Sequence, residues 1–187
     1  MSLEKFENNF LNKKFKPHCA FETGIKELPV LSHGSMIEIR TNRYNLLYKI
    51  IQTQLYIGNY CLWIDADHST DFSIFGKSSN LFIAQPNSPE EGLDILTEPL
   101  LKCLNIVVID SILNVLPLEG DYTTLEAKLS NIRKILPKTC SIIFINPFLT
   151  HKYNIFAKYM DIILNINKYT GKVIKDNKTL KLFIFNH

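Results

Sequence analysis

Hydrophobic and polar positions along the chain fall into two alternating kinds of segment. Short continuous apolar runs mark strands buried on both faces. They occur at Ser35–Arg40, Tyr60–Ile64, Leu81–Ala84, Asn105–Ser111, Ser141–Asn146 and Asp161–Asn167. Between them lie stretches with apolar residues three and four apart, the period of an amphipathic helix. Arg43–Ile57 carries Leu47, Ile50, Ile51 and Leu55 on one stripe, and Gly58-Asn59 ends it. Ser88-Pro89-Glu90-Glu91 opens a helix that buries Leu93, Leu96 and Leu100, with a hydroxyl cap, a proline at the first position and a glutamate closing a capping box. Thr123 and Glu126 form a second such box before a helix to Leu136, with Leu125, Leu129 and Ile132 inward. A short helix is predicted near Asn154–Tyr159, and Lys172–Lys175 with Leu180–Phe185 reads as a hairpin around Asp176-Asn177. Strands alternating with helices predict an α/β fold with a mostly parallel twisted sheet, helices on both faces and an antiparallel hairpin at one edge.

The chain is organised around Asn105–Ser111. Its β-branched run ends abruptly in Asp110 and Ser111. A doubly buried strand carries polar groups only where it emerges, and its carboxyl end is where open α/β sheets bind ligands. Asp110 therefore stands where a nucleotide-dependent enzyme keeps the acid that holds a metal.

Length and composition narrow the classes. The chain of 187 residues is enough for one core domain, read as residues 19–187, preceded by a polar arm, residues 1–18. Phe6 and Phe10 are one helical turn apart in that arm, which suits docking on the core or on a neighbouring subunit. No apolar run reaches the roughly 18 residues that cross a bilayer, and the first residues are too polar for a signal peptide. An intracellular protein is expected, in the cytoplasm or in a nucleus, with no membrane partner. Cys19, Cys61, Cys103 and Cys140 form no C-x-x-C pair and read as free thiols. The net charge of +3 is uneven: residues 151–187 hold seven lysines against Asp161 and Asp176, a net +5, which leaves −2 for residues 1–150. A basic end suits phosphates, and a solvated hairpin surface explains it as well.

Taken in order, five stretches resemble the ATPase core of the RecA family of DNA recombinases. Phe21–Leu28 (Phe-Glu-Thr-Gly-Ile-Lys-Glu-Leu) resembles the family's Thr-Gly-x-x-x-Leu-Asp opening segment. Gly34–Ile39 is similar to the strand that feeds its phosphate loop. Leu62–Asp71 is similar to the bacterial Phe-Ile-Asp-Ala-Glu-His-Ala-Leu-Asp segment, Asn105–Ser111 to the Walker B strand, and Phe144–Asn146 to the Phe-Ile-Asn-Gln strand. The resemblance implies a three-layer RecA-like sandwich from about residue 20 to 176.

The same alignment exposes departures. The family's ATP site needs G-x-x-x-x-G-K-[ST], whose glycines let backbone N–H groups converge on phosphates. Here that place reads Arg40–Lys49, with no glycine between Gly34 and Gly58. Arg43 and Tyr44 do not cheaply adopt the positive-φ geometry of a phosphate nest. Lys49 is preceded by Tyr48 and followed by Ile50. The water-activating glutamate corresponds to the shorter Asp67, and the γ-phosphate-sensing glutamine to Pro147. The resemblance therefore implies vestigial nucleotide-site positions at Arg40, Arg43, Asp67, Asp110 and Ser111, no catalytic residue, no cofactor and no ATP hydrolysis.

Arg40 and Arg43, in the emptied phosphate site, either bind another anion or a partner's acid, or neutralise Asp65, Asp67 or Asp110 internally. The second reading is favoured, because acids beside a lost cation site need compensation. Asp65, Asp67, His68 and Asp71 are dense enough to suggest a metal, but alternate residues of a strand end diverge, and no metal site is expected. The family's DNA-binding loops correspond to Leu116–Thr124, which is acidic, and Pro147–Tyr153. His151, Lys152 and Tyr153 pair basic groups with an aromatic ring, suited to phosphate contact and base stacking. With Lys172 and Lys175 they are the candidate DNA contacts. The expected function is that of a non-catalytic accessory subunit in DNA repair and recombination. Its expected partners are a recombinase-family or repair protein, or a second copy, with DNA as a further candidate. The alternative is a structural or regulatory module that kept the fold and left DNA.

Overall fold

A computed structural model describes residues 20–21, 23, 31–41, 44–111, 121–146, 157–166, 170–175 and 178–184. Among them the strands are β1 (Ala20–Phe21), β2 (Leu31–Ser32), β3 (Met36–Thr41), β4 (Cys61–Asp65), β5 (Leu81–Ala84), β6 (Ile106–Asp110), β7 (Ser141–Asn146), β8 (Ile162–Ile166), β9 (Thr170–Lys175) and β10 (Lys178–Ile184). The helices are α1 (Tyr44–Tyr56), α2 (Pro89–Asp94), α3 (Glu98–Cys103) and α4 (Thr123–Ile135), with a 3-10 turn at Phe72–Phe75. The N-terminal arm with Phe6 and Phe10, and residues 154–156 of the short helix, lie outside the described residues.

The main sheet has the order β10-β9-β8-β3-β7-β6-β4-β5, and β1 pairs with β2 apart from it. The six strands from β8 to β5 are all parallel. β9 pairs antiparallel with β8 and with β10. The chain thus alternates strand and helix through a parallel sheet, as the apolar runs predict, because only burial on both faces stabilises such runs.

Each face carries its own core. On one, Leu47, Ile50 and Ile51 of α1 pack on Ile37, Ile39, Trp63, Val108 and Ile145. On the other, Leu93, Leu100, Leu125, Leu129 and Ile132 of α2–α4 pack on Leu62, Ile64, Val107, Ile109 and Phe144. Successive strand residues alternate between these layers, and that alternation decides the chemistry at the sheet's end.

Local sequence explains most boundaries. Gly34 enters β3 at φ +77°, and a Cβ there would stand 2.9 Å from the Lys138 backbone, so glycine is required. Ser88 Oγ accepts the Glu91 N–H at 3.1 Å, and the Glu91 carboxylate turns back onto the Asn87 N–H at 2.7 Å. The helix expected to run on from there is two helices. Pro99 has no N–H to give the preceding turn and clashes with it, so α2 ends at Asp94 and α3 restarts at Glu98. The expected Thr123–Glu126 box does not form either. Asp121 accepts the Thr123 N–H at 2.9 Å, and Glu126 pairs with Lys158 at 2.7 Å. Asp161, expected as the start of the last parallel strand, is instead a clamp before it: its carboxylate accepts the Met36 N–H at 2.9 Å and pairs with Arg133 at 2.5 Å.

Candidate functional site

The carboxyl ends of β3, β7, β6 and β4 lie side by side. Arg40 is in register with Asn146, and Asp110 with both Ile145 and Asp65. Cys61, Trp63 and Asp65 of β4, and Ile106, Val108 and Asp110 of β6, alternate onto the α1 layer. Two carboxylates are thereby driven side by side under α1, both with no exposed surface.

Asp65 is well held. Its Oδ1 accepts the Ser69 N–H at 3.2 Å and the Thr70 hydroxyl at 3.1 Å, and its Oδ2 accepts Gln85 Nε2 at 2.9 Å. Asp110 is held less well. Thr70 Oγ is also 3.3 Å from Asp110 Oδ2, while Asp110 Oδ1 has no hydrogen-bond partner among the described residues. A hydroxyl has one proton to give. If Thr70 donates to Asp65, its contact with Asp110 is satisfied when Asp110 itself carries a proton and donates. Burial pushes the Asp110 carboxyl up to about 7, with the charges of Asp67 and Asp65 adding to the rise and the Thr70 bond opposing it. The unpartnered Oδ1 and the raised carboxyl both favour the protonated form of Asp110 below about pH 7.

Above the acids stand two phenols of α1. Tyr44 and Tyr48 are one turn apart, with ring centroids at 6.3 Å. Burial raises both phenols above their ordinary range, and the carboxylate of Asp110 is the next cause for each. Tyr48 continues into a ring cluster, 5.9 Å from Trp63 and 5.6 Å from Phe75, with Trp63 edge-on to Phe72 at 5.9 Å. The ceiling of the site is thus aromatic and tied into the core. The turn after β4 places Asp67 at its rim, where its carboxylate accepts the Ser69 hydroxyl at 2.6 Å. His68 sits there at φ +55° with Nε2 2.9 Å from the Pro86 carbonyl oxygen. Among the described residues no group of three His, Cys, Asp or Glu is arranged to hold a metal ion.

The opposite face of the same strand ends is built differently. Glu38 has no exposed surface, yet its carboxylate is paired twice: with Arg40 Nη2 at 2.8 Å and with Asn146 Nδ2 at 2.8 Å.

No protein-family model matches the chain. It is 30% identical over 139 residues to Protein RecA of Bordetella petrii, covering 62% of this chain and 39% of that protein. It is 29% identical over 146 residues to Protein RecA of Pseudomonas fluorescens, covering 66% of this chain and 40% of that protein. The chain therefore spans about two fifths of the length of these curated relatives. Its fold matches the crystal structure of the RadB recombinase with a TM-score of 0.58 at 14% identity, over 82% of this chain and 87% of that one. The chain is RecA-like in sequence and in fold.

In this RecA-like frame the expected site residues separate. Asp110, Asp67 and Asp65 come together as expected, and Ser111 is buried beside them in sequence, its hydroxyl without a hydrogen-bond partner among the described residues. Arg40 does not join them. The expected pairing of Arg40 with Asp65, Asp67 or Asp110 is corrected by its ion pair with Glu38. The reason is parity. Ile37 and Ile39 face α1, so Glu38 and Arg40 must face the other layer. Lys49 lies exposed on α1. Arg43, Pro147, His151, Lys152 and Tyr153 lie outside the described residues, and Lys172 and Lys175 are described as backbone of β9 only. Sequence reasoning missed Tyr44, Tyr48, Thr70 and Gln85 as the groups that enclose the acids. A tyrosine pair at i and i+4, one turn past a strand end, was the available signal for the first two. Among the described residues no helix is long and apolar enough to cross a membrane.

Proposed function

We propose that this RecA-like chain neither hydrolyses nor ordinarily binds ATP, and serves recombination or repair as a non-catalytic accessory subunit. The observation that carries this reading is the aromatic, acidic lining under α1. Tyr44 and Tyr48 stand with Asp65, Asp67 and Asp110 where the resemblance would seat a polyphosphate. Phenols and carboxyl groups offer a triphosphate no cation and no converging N–H groups. The segment from Ser35 to Ile57 holds no glycine to build a phosphate nest.

Assembly with a recombinase-like partner, or with a second copy, is supported by the sheet's β5 edge. Leu81–Ala84 is the terminal strand among the described residues, carries neither charge nor proline, and leaves Ile83 47% exposed. Unprotected edges of this kind pair with further chains. DNA contact on this reading comes from His151, Lys152 and Tyr153 and from Lys172 and Lys175. A second reading, an interaction module that has left DNA, draws support from the acids at the carboxyl edge, which disfavour a nucleic-acid backbone there.

Thermal unfolding with and without Mg-ATP tests the first claim. A ligand that binds only the folded chain raises the melting temperature. No shift is expected, and a saturable rise would overturn it. Affinity purification of the tagged protein after nuclease treatment tests the second. Recovery of a recombinase-like or repair protein is expected, whereas recovery of proteins unrelated to DNA would favour the module.

A further inference from the structure

The amino edge of the sheet, away from Asp65 and Asp110, carries another built surface. Helix α1 ends there in Tyr56, which is 91% exposed. A ring left almost wholly in water forgoes the burial that aromatic side chains ordinarily find. Beside it lies a cleft of about 370 Å³ whose lining includes Gln52, Tyr56, Phe75, Lys77, Ser78 and Asn80.

The cleft is preformed. Gln52 Nε2 donates to the Ile74 carbonyl at 3.0 Å and ties the 3-10 turn to α1. The Cys61 N–H donates to the Asn80 carbonyl at 2.9 Å and ties the following loop to β4. Ser79 Oγ donates to Asn80 Oδ1 at 3.3 Å, which leaves the Asn80 amide nitrogen as a donor. Lys77 is exposed, and Lys49 lies two turns before Tyr56 on the same side of α1. No acid lines the cleft.

An accessible ring, amide and hydroxyl donors, lysines and no carboxylate make up the chemistry that recognises an unstacked base joined to phosphates. A partner protein would call for a broader apolar floor, but Leu55 and Phe75 are half-buried beneath the polar groups. We propose that this cleft binds single-stranded nucleic acid, with a base stacked on Tyr56 and the flanking phosphates on Lys77 and Lys49. The four residue steps of β4 place it about 13 Å from the acids. The inference deepens the DNA-binding part of the reading above and rests on it.

Fluorescence anisotropy of a labelled oligothymidylate, titrated with salt against the full chain, tests it. Tyr56→Ala should weaken binding by roughly 5- to 100-fold, the range of one lost base stack, while Tyr56→Phe keeps it. Lys77→Ala should reduce the slope of log affinity against log salt by about 0.7, one phosphate contact to a single strand. Both variants should melt with the wild type, because Tyr56 and Lys77 are exposed. Binding unchanged in Tyr56→Ala and Lys77→Ala but lost in Lys172→Ala with Lys175→Ala overturns the cleft and spares the broader reading. No binding by the wild-type chain overturns both. Binding of a labelled polyglutamate peptide that Tyr56→Ala and Lys77→Ala weaken, while oligothymidylate binding is unchanged by both, assigns the cleft to an acidic protein segment and also overturns the proposal.

Discussion

Two fully buried carboxyl groups, Glu38 of β3 and Asp110 of β6, stand on opposite faces of the sheet with only β7 between their strands, and they are treated in opposite ways. Glu38 receives a guanidinium and an amide at 2.8 Å each. Asp110 receives one shared hydroxyl at 3.3 Å and lies against two further carboxylates. Burying a charge is costly unless it is paired and hydrogen-bonded. The Glu38 face meets that requirement from within the chain and acts as a strut joining β3 to β7. The Asp110 face supplies no cation, and burial there favours the protonated acid. The strut is structural; the acid pair is where the chain keeps a chemically unsettled group beneath two phenols.

The largest test of this contrast removes the strut's cation. Arg40→Ala leaves the buried Glu38 with the Asn146 amide but no cation and should cost about 3–5 kcal/mol in urea unfolding. Replacing Glu38 as well, by Gln, should recover part of it. A cost below about 1 kcal/mol for Arg40→Ala would mean that the two faces do not differ as described.

Next in size is the pH dependence of the other face. The folded pKa of Asp110, about 7, exceeds the roughly 3.9 of an unfolded aspartate. The folded chain therefore retains a proton that the unfolded chain has released. The stability this contributes is complete below about pH 4 and is lost as pH rises through about 7. Asp110→Asn, which cannot ionise, should match the wild type near pH 4 and exceed it by roughly 2–4 kcal/mol above pH 8. A constant difference across that range would place the titration elsewhere.

Thr70→Val removes the hydroxyl between Asp65 and Asp110 and should cost about 1–2 kcal/mol. The cost should be larger at pH 8, where Asp110 is ionised and accepts the Thr70 hydroxyl, than at pH 5, and equal costs at the two pH values would mean that Thr70 does not serve the Asp110 carboxylate. The smallest effect is expected from Tyr48→Phe. The ring contacts with Trp63 and Phe75 survive, so stability should change by less than about 0.5 kcal/mol. A larger loss would show that the phenol is bonded to the acids, and so part of the site's polar network.

Much of the architecture was legible along the chain. Apolar runs predicted the parallel strands within a residue or two, since a strand buried on both faces tolerates little else. The same runs located Asp110 and Asp65 at strand ends. Helix breaks were less legible: the sequence suggested one helix from Ser88 to Leu100, where Pro99 divides it in two. The Thr123 cap failed because Asp121, two residues earlier, competes for the same N–H with a charged oxygen.

What the sequence by itself determined was which residues are apolar, at what period, and that acids cluster at the strand ends while glycine is missing from the loop after β3. Those features follow from local sterics and from burial, which act on near neighbours in the chain. What only the tertiary structure decided was pairing across the sheet. Arg40 itself was expected to meet Asp65, Asp67 or Asp110, yet strand parity turns it to the other layer, onto Glu38. Tyr44, Tyr48, Thr70 and Gln85 reach Asp65 and Asp110 from α1, from the turn after β4 and from the end of β5. Period, register and layer packing must all be settled before such distant groups share one low-dielectric pocket, where the absence or presence of one proton or one cation determines the chemistry.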